Sequence, residues 1–207
     1  KTKEGFINEQ SRLGMAITQD SAAQLNRLIV SELLKQDIPA VSVYVSNSVV
    51  LNGGKVASYY DNVLREYLKH DLLPVTTGDV VVDQEKGCGI WSADTILPFF
   101  AQKFQESGWH VKQLLHVTVT PGVYRDVMHP EKGIFTEISN ENKAEVEAAM
   151  GEVKGFDVTG GMWAKIQESL TLAEEYGLET RIISGEIPGT LAKVLLENAS
   201  LGTRIRA

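Results

Sequence analysis

Short runs of β-branched and apolar residues alternate along this chain with helix-length amphipathic segments, and that alternation limits the fold more than any other feature. Ala40–Val45, Leu72–Thr76, Val80–Asp83, Gln113–Val119, Thr180–Ser184 and Thr203–Arg206 carry the strand signal. Val49–Leu51 and Lys55–Ala57 read as a hairpin around the turn Asn52-Gly53-Gly54, and Gly87-Cys88-Gly89 reads as a further turn. Between these lie helical patterns over Gly14–Gln36, Ser58–Lys69, Ser92–Gln105, Glu141–Met150, a stretch following Gly161, and Pro188–Asn198. Strands separated by helices must be joined by crossovers, which place them parallel and leave helices on both faces. The expectation is an α/β fold, a three-layer sandwich with a mostly parallel central sheet. In such sheets ligands bind beyond the carboxyl ends of strands. The loops expected there are Thr77–Asp79, Gly89–Asp94, Val117–Gly122 and Gly185–Gly189.

The periodicity also assigns faces. Ala22, Leu25, Ile29 and Leu33 form the inward stripe of the first helix, preceded by a polar loop or lid over Lys1–Arg12. Ser58 caps the second helix, which turns Tyr60, Val63, Leu64, Tyr67 and Leu68 inward. The apolar run Gln113–Val119 reads as a buried parallel strand.

Composition enters mainly by exclusion. A chain of 207 residues fits a single domain, residues 1–207. Its net charge of −7 argues against a nucleic-acid or anionic-membrane surface, so phosphate binding would fall to local lysines and helix N-termini. The one cysteine, Cys88, excludes an internal disulfide and fits a reducing cytoplasm. No apolar run approaches the roughly 20 residues of a membrane span. There is no phosphate-binding G-x-x-x-x-G-K-[ST], no dinucleotide G-x-G-x-x-G after a strand and no G-x-S-x-G elbow. The four histidines are scattered, so no metal site is expected.

The most informative stretch is Phe156-Asp157-Val158-Thr159-Gly160-Gly161-Met162-Trp163-Ala164-Lys165. Two glycines stand before a helix whose Met162, Ile166, Ser169, Leu170 and Ala173 share one face, with Lys165 in its first turn at the edge of that stripe. Backbone N–H groups, the helix dipole and an ammonium facing an anion would account for a lysine in that unfavourable place. An ordinary loop-to-helix junction accounts for it equally well. Asp94, at the turn Trp91-Ser92-Ala93-Asp94, is either a plain N-cap or a carboxylate holding lysines or a metal beside a reacting phosphate.

Together these loops resemble the amino acid kinase family, most closely its isopentenyl phosphate kinase branch. Asp157-Val158-Thr159-Gly160-Gly161-Met162-x-x-Lys165 is the nearest match. Ile38-Pro39-Ala40-Val41, Pro74-Val75 leading to Gly78-Asp79-Val80-Val81-x-Asp83, Ser92-Ala93-Asp94, Val117–Tyr124, Pro188-Gly189 and Gly202-Thr203-Arg204-Ile205 follow in the family's order. The resemblance implies phosphoryl transfer from ATP, with Mg2+, to a small phosphorylated acceptor. Lys165 would neutralise the transferred phosphate, and Asp94 would orient catalytic lysines. Asp157, Thr159, Gly160 and Gly161 would line the nucleotide site with Thr120, Gly122 and Tyr124. Gly78 and Gly89, Ile90, Trp91 and Ser92 would border the acceptor. It also implies a homodimer, and a lysine-bearing strand and a histidine-ending glycine loop ahead of Lys1. Three departures stand out. The chain starts about where that glycine loop should end, so the N-terminal strand region is expected to be missing and the domain N-terminally incomplete. Val119-Thr120-Pro121-Gly122 lacks the usual two aspartates, and Ser92-Ala93-Asp94 is closer to acetylglutamate kinases. The alternatives are another enzyme of this fold, acting on a phosphonate, an acyl-amino acid or a nucleotide, and a non-catalytic nucleotide-binding regulator.

Overall fold

The structure, a computed structural model, describes residues 5–151 and 157–207, and for residues 151 and 157–160 the backbone alone. The chain divides into two compact units, Lys1–Ile96 and Leu97–Ala207.

The first unit opens with α1 (Glu9–Leu34), followed by β1 (Ala40–Ser42), β2 (Val49–Asn52), β3 (Lys55–Tyr59), α2 (Asn62–Lys69), β4 (Leu73–Val75), β5 (Asp79–Asp83), β6 (Gly87–Trp91) and the start of α3 (Ala93–Glu106). α1 begins at Glu9, inside the stretch expected to be a loop, because Asn8 and Ser11 form a capping box. The Asn8 Oδ1 accepts the Ser11 N–H at 3.0 Å, and the Ser11 hydroxyl accepts the Asn8 N–H at 3.3 Å. Its inner face is also rotated from the expected stripe. Leu25 and Ile29 are 52% and 38% exposed, whereas Asn26 and Val30 are buried. The buried asparagine, polar and so passed over by an apolar count, marks the true face. α2 likewise buries less than expected: Tyr60 and Val63 are exposed, and no α2 residue is fully buried. Its N-cap is Asp61, not Ser58, which lies in β3. The Asp61 carboxylate bonds Arg65 at 2.6 Å instead of the helix end.

The strands run β3-β2-β5-β6 in one sheet, with β1 and β4 paired parallel beside it in sequence but as a separate ladder. The β2–β3 hairpin forms as expected, with Gly53 (φ 58°) and Gly54 (φ 85°) supplying the two positive-φ residues of its turn. Gly87-Cys88-Gly89 is not a turn. It begins β6, antiparallel to β5, and the reversal is made by Gln84–Lys86. The buried Asp83 carboxylate fixes both reversals, accepting the N–H groups of Gly53, Gly54, Glu85 and Lys86 at 2.7–3.1 Å.

The second unit continues with β7 (Leu114–Thr118), β8 (Val123–Tyr124), β9 (Ile134–Phe135), β10 (Glu137–Ile138), α4 (Lys143–Gly151), α5 (Asp157–Tyr176), β11 (Thr180–Ser184), α6 (Thr190–Leu196) and β12 (Thr203–Ile205). Its sheet runs β10-β12-β11-β7, and β8 pairs with β9. Ile166 and Leu170 of α5 pack into a core of Val123, Phe135, Ile138, Val146, Ile182 and Ile205. The expected α5 stripe holds throughout: Ser169 and Ala173 are buried with them, and Met162 packs against the same cluster. β7 is only half-buried, with Val117 49% exposed, so its apolar run overstated its burial.

The α/β class holds, but the sheets are mixed. Among the described residues, four ladders are parallel (β1–β4, β2–β5, β7–β11, β10–β12) and four antiparallel. The tight hairpins β2–β3 and β5–β6, whose short reversals cannot join parallel neighbours, together with the β8–β9 pair and the antiparallel return of β12 onto β11, account for the difference.

Candidate functional site

In the first unit, Gly78 follows β4 and sits against the turn from β6 into α3. A Cβ at Gly78 would lie 3.2 Å from the Ala93 backbone nitrogen and 3.5 Å from the Ser92 Cα. This closeness follows from register. Asp79 pairs with Trp91 across β5 and β6, so the residue before β5 meets the residue after β6. Trp91 is buried, while Ser92 is exposed at the helix start. Ser92 holds the cap position: its carbonyl accepts the Thr95 and Ile96 N–H groups at 3.0 and 2.9 Å, and its hydroxyl lies 3.1 Å from that of Thr95. Asp94 is therefore not the cap. It stands in the first turn of α3, half-buried, where a carboxylate is favoured by the helix dipole. Asp79 is buried and takes the Val80 N–H at 2.7 Å, the local role of a turn aspartate.

Gly89 and Ile90 fall elsewhere. Both lie within β6, Gly89 opposite Val81 and facing Leu51, and Ile90 exposed. Of the residues expected to border the acceptor, the structure brings together Gly78, Trp91 and Ser92 and leaves Gly89 and Ile90 along the strand. A separate cavity of about 250 Å³ beyond the carboxyl end of β1, lined by Tyr44, Asn47, Tyr60 and Tyr67 among others, contains none of the expected site residues.

In the second unit, Thr120, Gly122 and Tyr124 line one cavity of about 70 Å³ together with Val123, Val127, Met150 and Met162. The loop is shaped by its own bonds. The Thr118 hydroxyl accepts the Thr120 N–H at 3.2 Å, and the Thr118 carbonyl accepts the Gly185 N–H at 2.7 Å. That last bond ties together the loops leaving the parallel neighbours β7 and β11. Gly122 is required sterically. A Cβ there would lie 2.5 Å from the Thr203 hydroxyl, which itself accepts the Val123 N–H at 2.8 Å and donates to the Phe135 carbonyl at 2.6 Å.

Met162 carries α5 into this cavity, and Lys165 stands three residues further along the same helix face, half-buried. One expectation about this helix is corrected. α5 begins at Asp157, so Gly160 and Gly161 lie inside it and Lys165 is in its third turn. The dipole at the helix start thus acts on residues near Asp157 and falls off before Lys165. Phe156 lies outside the described residues, as do the side chains of Asp157 and Thr159, and Gly160 is described only as part of the α5 backbone. Gly161 is described, helical and exposed. Val127, Met150 and Met162 were not expected in the cavity. Met162 carried a signal, since it stands inside the strongest motif; the other two are contributed by irregular chain and the end of α4.

The profile of the amino acid kinase family matches residues 1–184. The chain belongs to the amino acid kinase family. Its relatives are phosphotransferases, and that is its enzyme class. The isopentenyl phosphate kinase of Methanothermobacter thermautotrophicus is 31% identical over 198 residues, covering 94% of this chain and 71% of that protein. The Methanocaldococcus jannaschii enzyme of the same name is 32% identical over 164 residues, covering 79% of this chain and 58% of its own. A solved isopentenyl phosphate kinase superposes with a TM-score of 0.76 at 29% identity, over 96% of this chain and 73% of that one. The isopentenyl phosphate kinase product complex from T. acidophilum shares the fold at a TM-score of 0.71 and 19% identity.

Proposed function

We propose that this protein transfers the γ-phosphate of ATP to a small phosphorylated acceptor, isopentenyl phosphate, giving isopentenyl diphosphate. The observation that carries the reading is the second unit's cavity. Its walls combine Thr120, Gly122 and Tyr124 with Met162 from the motif that bears Lys165. At about 70 Å³ the recess would take only part of a nucleotide base, its apolar lining forming one wall, and a cation one helical turn away suits the phosphates. Thr120 and the backbone around Gly122 would orient the nucleotide, and Lys165 would offset charge on the transferred group.

Phosphoryl transfer needs no protein nucleophile; it needs positioning and cations. Among the described residues no three His, Cys, Asp or Glu side chains converge on a metal position. Mg2+ would be held chiefly through the substrate phosphates, where it would supply charge neutralisation. On the acceptor side, Gly78 and Ser92 meet at the start of α3, whose N–H groups suit a phosphate, and Asp94 would orient a lysine there. A homodimer and a cytoplasmic location belong to the same proposal.

The test is ADP release by the full-length protein with Mg-ATP and a panel of acceptors: isopentenyl phosphate, a phosphonate, N-acetylglutamate and UMP. Preferential turnover of isopentenyl phosphate supports the reading. Preference for another acceptor transfers the protein to a different branch, and no turnover with any of them sinks the kinase proposal.

A further inference from the structure

We propose that Asn26 is a positioning residue that sets the geometry of the β4–β5 connection, and with it the acceptor side of the site. α1 grips this connection at three points spaced along its inner face. The Gln19 amide donates to the Val80 carbonyl at 2.6 Å, the Thr77 hydroxyl donates to the Ala22 carbonyl at 3.4 Å, and the Asn26 amide donates to the Val75 carbonyl at 2.7 Å. Positions 19, 22 and 26 follow the 3–4 spacing of one helix face, so the contacts form a clamp from Val75 to Val80. Gly78 lies between the clamped residues, where an added Cβ would lie 3.2 Å from the Ala93 nitrogen.

Asn26 is the most deeply buried of the three grips. It is fully buried, and its target carbonyl also accepts the Val43 N–H at 2.8 Å, so the side chain occupies the second lone pair of a ladder carbonyl. The bond fixes the amide orientation, because a flip would set two oxygens together. It also leaves the Asn26 Oδ1 buried and without a partner, an arrangement that costs stability. An apolar residue of similar size would avoid that cost, so stability alone does not account for an asparagine here. Holding a carbonyl at the end of β4, three residues before Gly78, does.

The kinetic arm of the test rests on the kinase reading above; the exchange arm does not. Asn26→Leu and Asn26→Asp are compared with wild type by amide hydrogen exchange and by steady-state kinetics. The clamp requires faster exchange confined to residues 76–80. It also requires an acceptor KM raised about tenfold or more with the ATP KM little changed, since small misplacements at a phosphoryl-transfer site are costly. Gln19→Leu should move the same amides to a smaller degree. Unchanged exchange at 76–80 overturns the proposal. So does a parallel rise of both KM values with a lowered unfolding midpoint, which would mark Asn26 as merely structural. If wild type turns over no acceptor, the kinase reading fails by itself, and the exchange result still decides the clamp.

Discussion

Gly122→Ala is the substitution whose consequence is most fully set by the geometry. The added methyl would lie 2.5 Å from the Thr203 hydroxyl, 2.9 Å from the Ile134 Cδ1 and 3.1 Å from the Thr203 nitrogen. None of these neighbours yields easily. Thr203 is fully buried, and its hydroxyl joins the Val123 N–H to the Phe135 carbonyl, linking β8, β9 and β12 in one bond pair. Pushing the hydroxyl aside leaves two buried backbone groups unsatisfied at about 1–3 kcal/mol each. Keeping it in place instead imposes overpacking of about 1–3 kcal/mol. The cheaper route sets the outcome, so the loss should be about 1–3 kcal/mol, a fall in Tm of roughly 5–10 °C for a unit of this size. Urea and thermal unfolding measure it directly. A double-mutant cycle with Thr203→Ala isolates the clash. Thr203→Ala alone loses the bond pair, but in its presence Gly122→Ala should cost about 1 kcal/mol or less, giving a coupling of about 1–2 kcal/mol. A Gly122→Ala protein within about 0.5 kcal/mol of wild type would refute the steric reasoning. Full additivity in the cycle would instead assign the loss to something other than Thr203.

Further outcomes follow from other positions. Lys165→Ala should abolish phosphoryl transfer with an unfolding midpoint close to wild type, because the side chain stands beside the buried stripe of α5; unchanged turnover would return it to an ordinary surface lysine. Gly78→Ala should raise the acceptor KM more than the ATP KM, since its methyl would crowd the Ala93 nitrogen at 3.2 Å; equal effects on both would count against an acceptor role. At Asp83, burial pushes the carboxyl up, but the N–H groups of Lys86, Gly54, Glu85 and Gly53 together outweigh it and hold the group below the usual carboxylate range. A depressed folded pKa means that the stabilisation is fully present above the unfolded value, about 3.9, and is lost as pH falls through the folded one. Asp83→Asn should therefore cost about 1–3 kcal/mol near pH 7 and progressively less in acid; a pH-independent difference in urea stability would contradict the assignment.

The α/β class, the β2–β3 hairpin, the strand Thr180–Ser184 and the α5 stripe could all be read from local pattern, because each depends on neighbours close in sequence. What the pattern missed depended on partners far away. The inner face of α1 turns on Asn26 finding the Val75 carbonyl, a contact 49 residues distant that no apolar periodicity records. The reversal at Gln84–Lys86 depends on Asp83 gathering N–H groups from two separate turns, so Gly87-Cys88-Gly89, which looks like a turn, is free to be a strand. The loop Thr120–Tyr124 could be read as a loop beyond the end of a strand, whereas Val127 and Met150, which line the same cavity, came from segments with no motif of their own. Gly89 and Ile90 were expected beside the acceptor from the family resemblance; the structure places both within β6, opposite Val81 and Val80.

Phosphorus NMR of the reaction with full-length protein and Mg-ATP shows whether isopentenyl phosphate is phosphorylated. Phosphorylation requires loss of the monophosphate signal and growth of two coupled diphosphate signals, in step with ADP. An unchanged monophosphate signal, with ATP consumed or not, would contradict it.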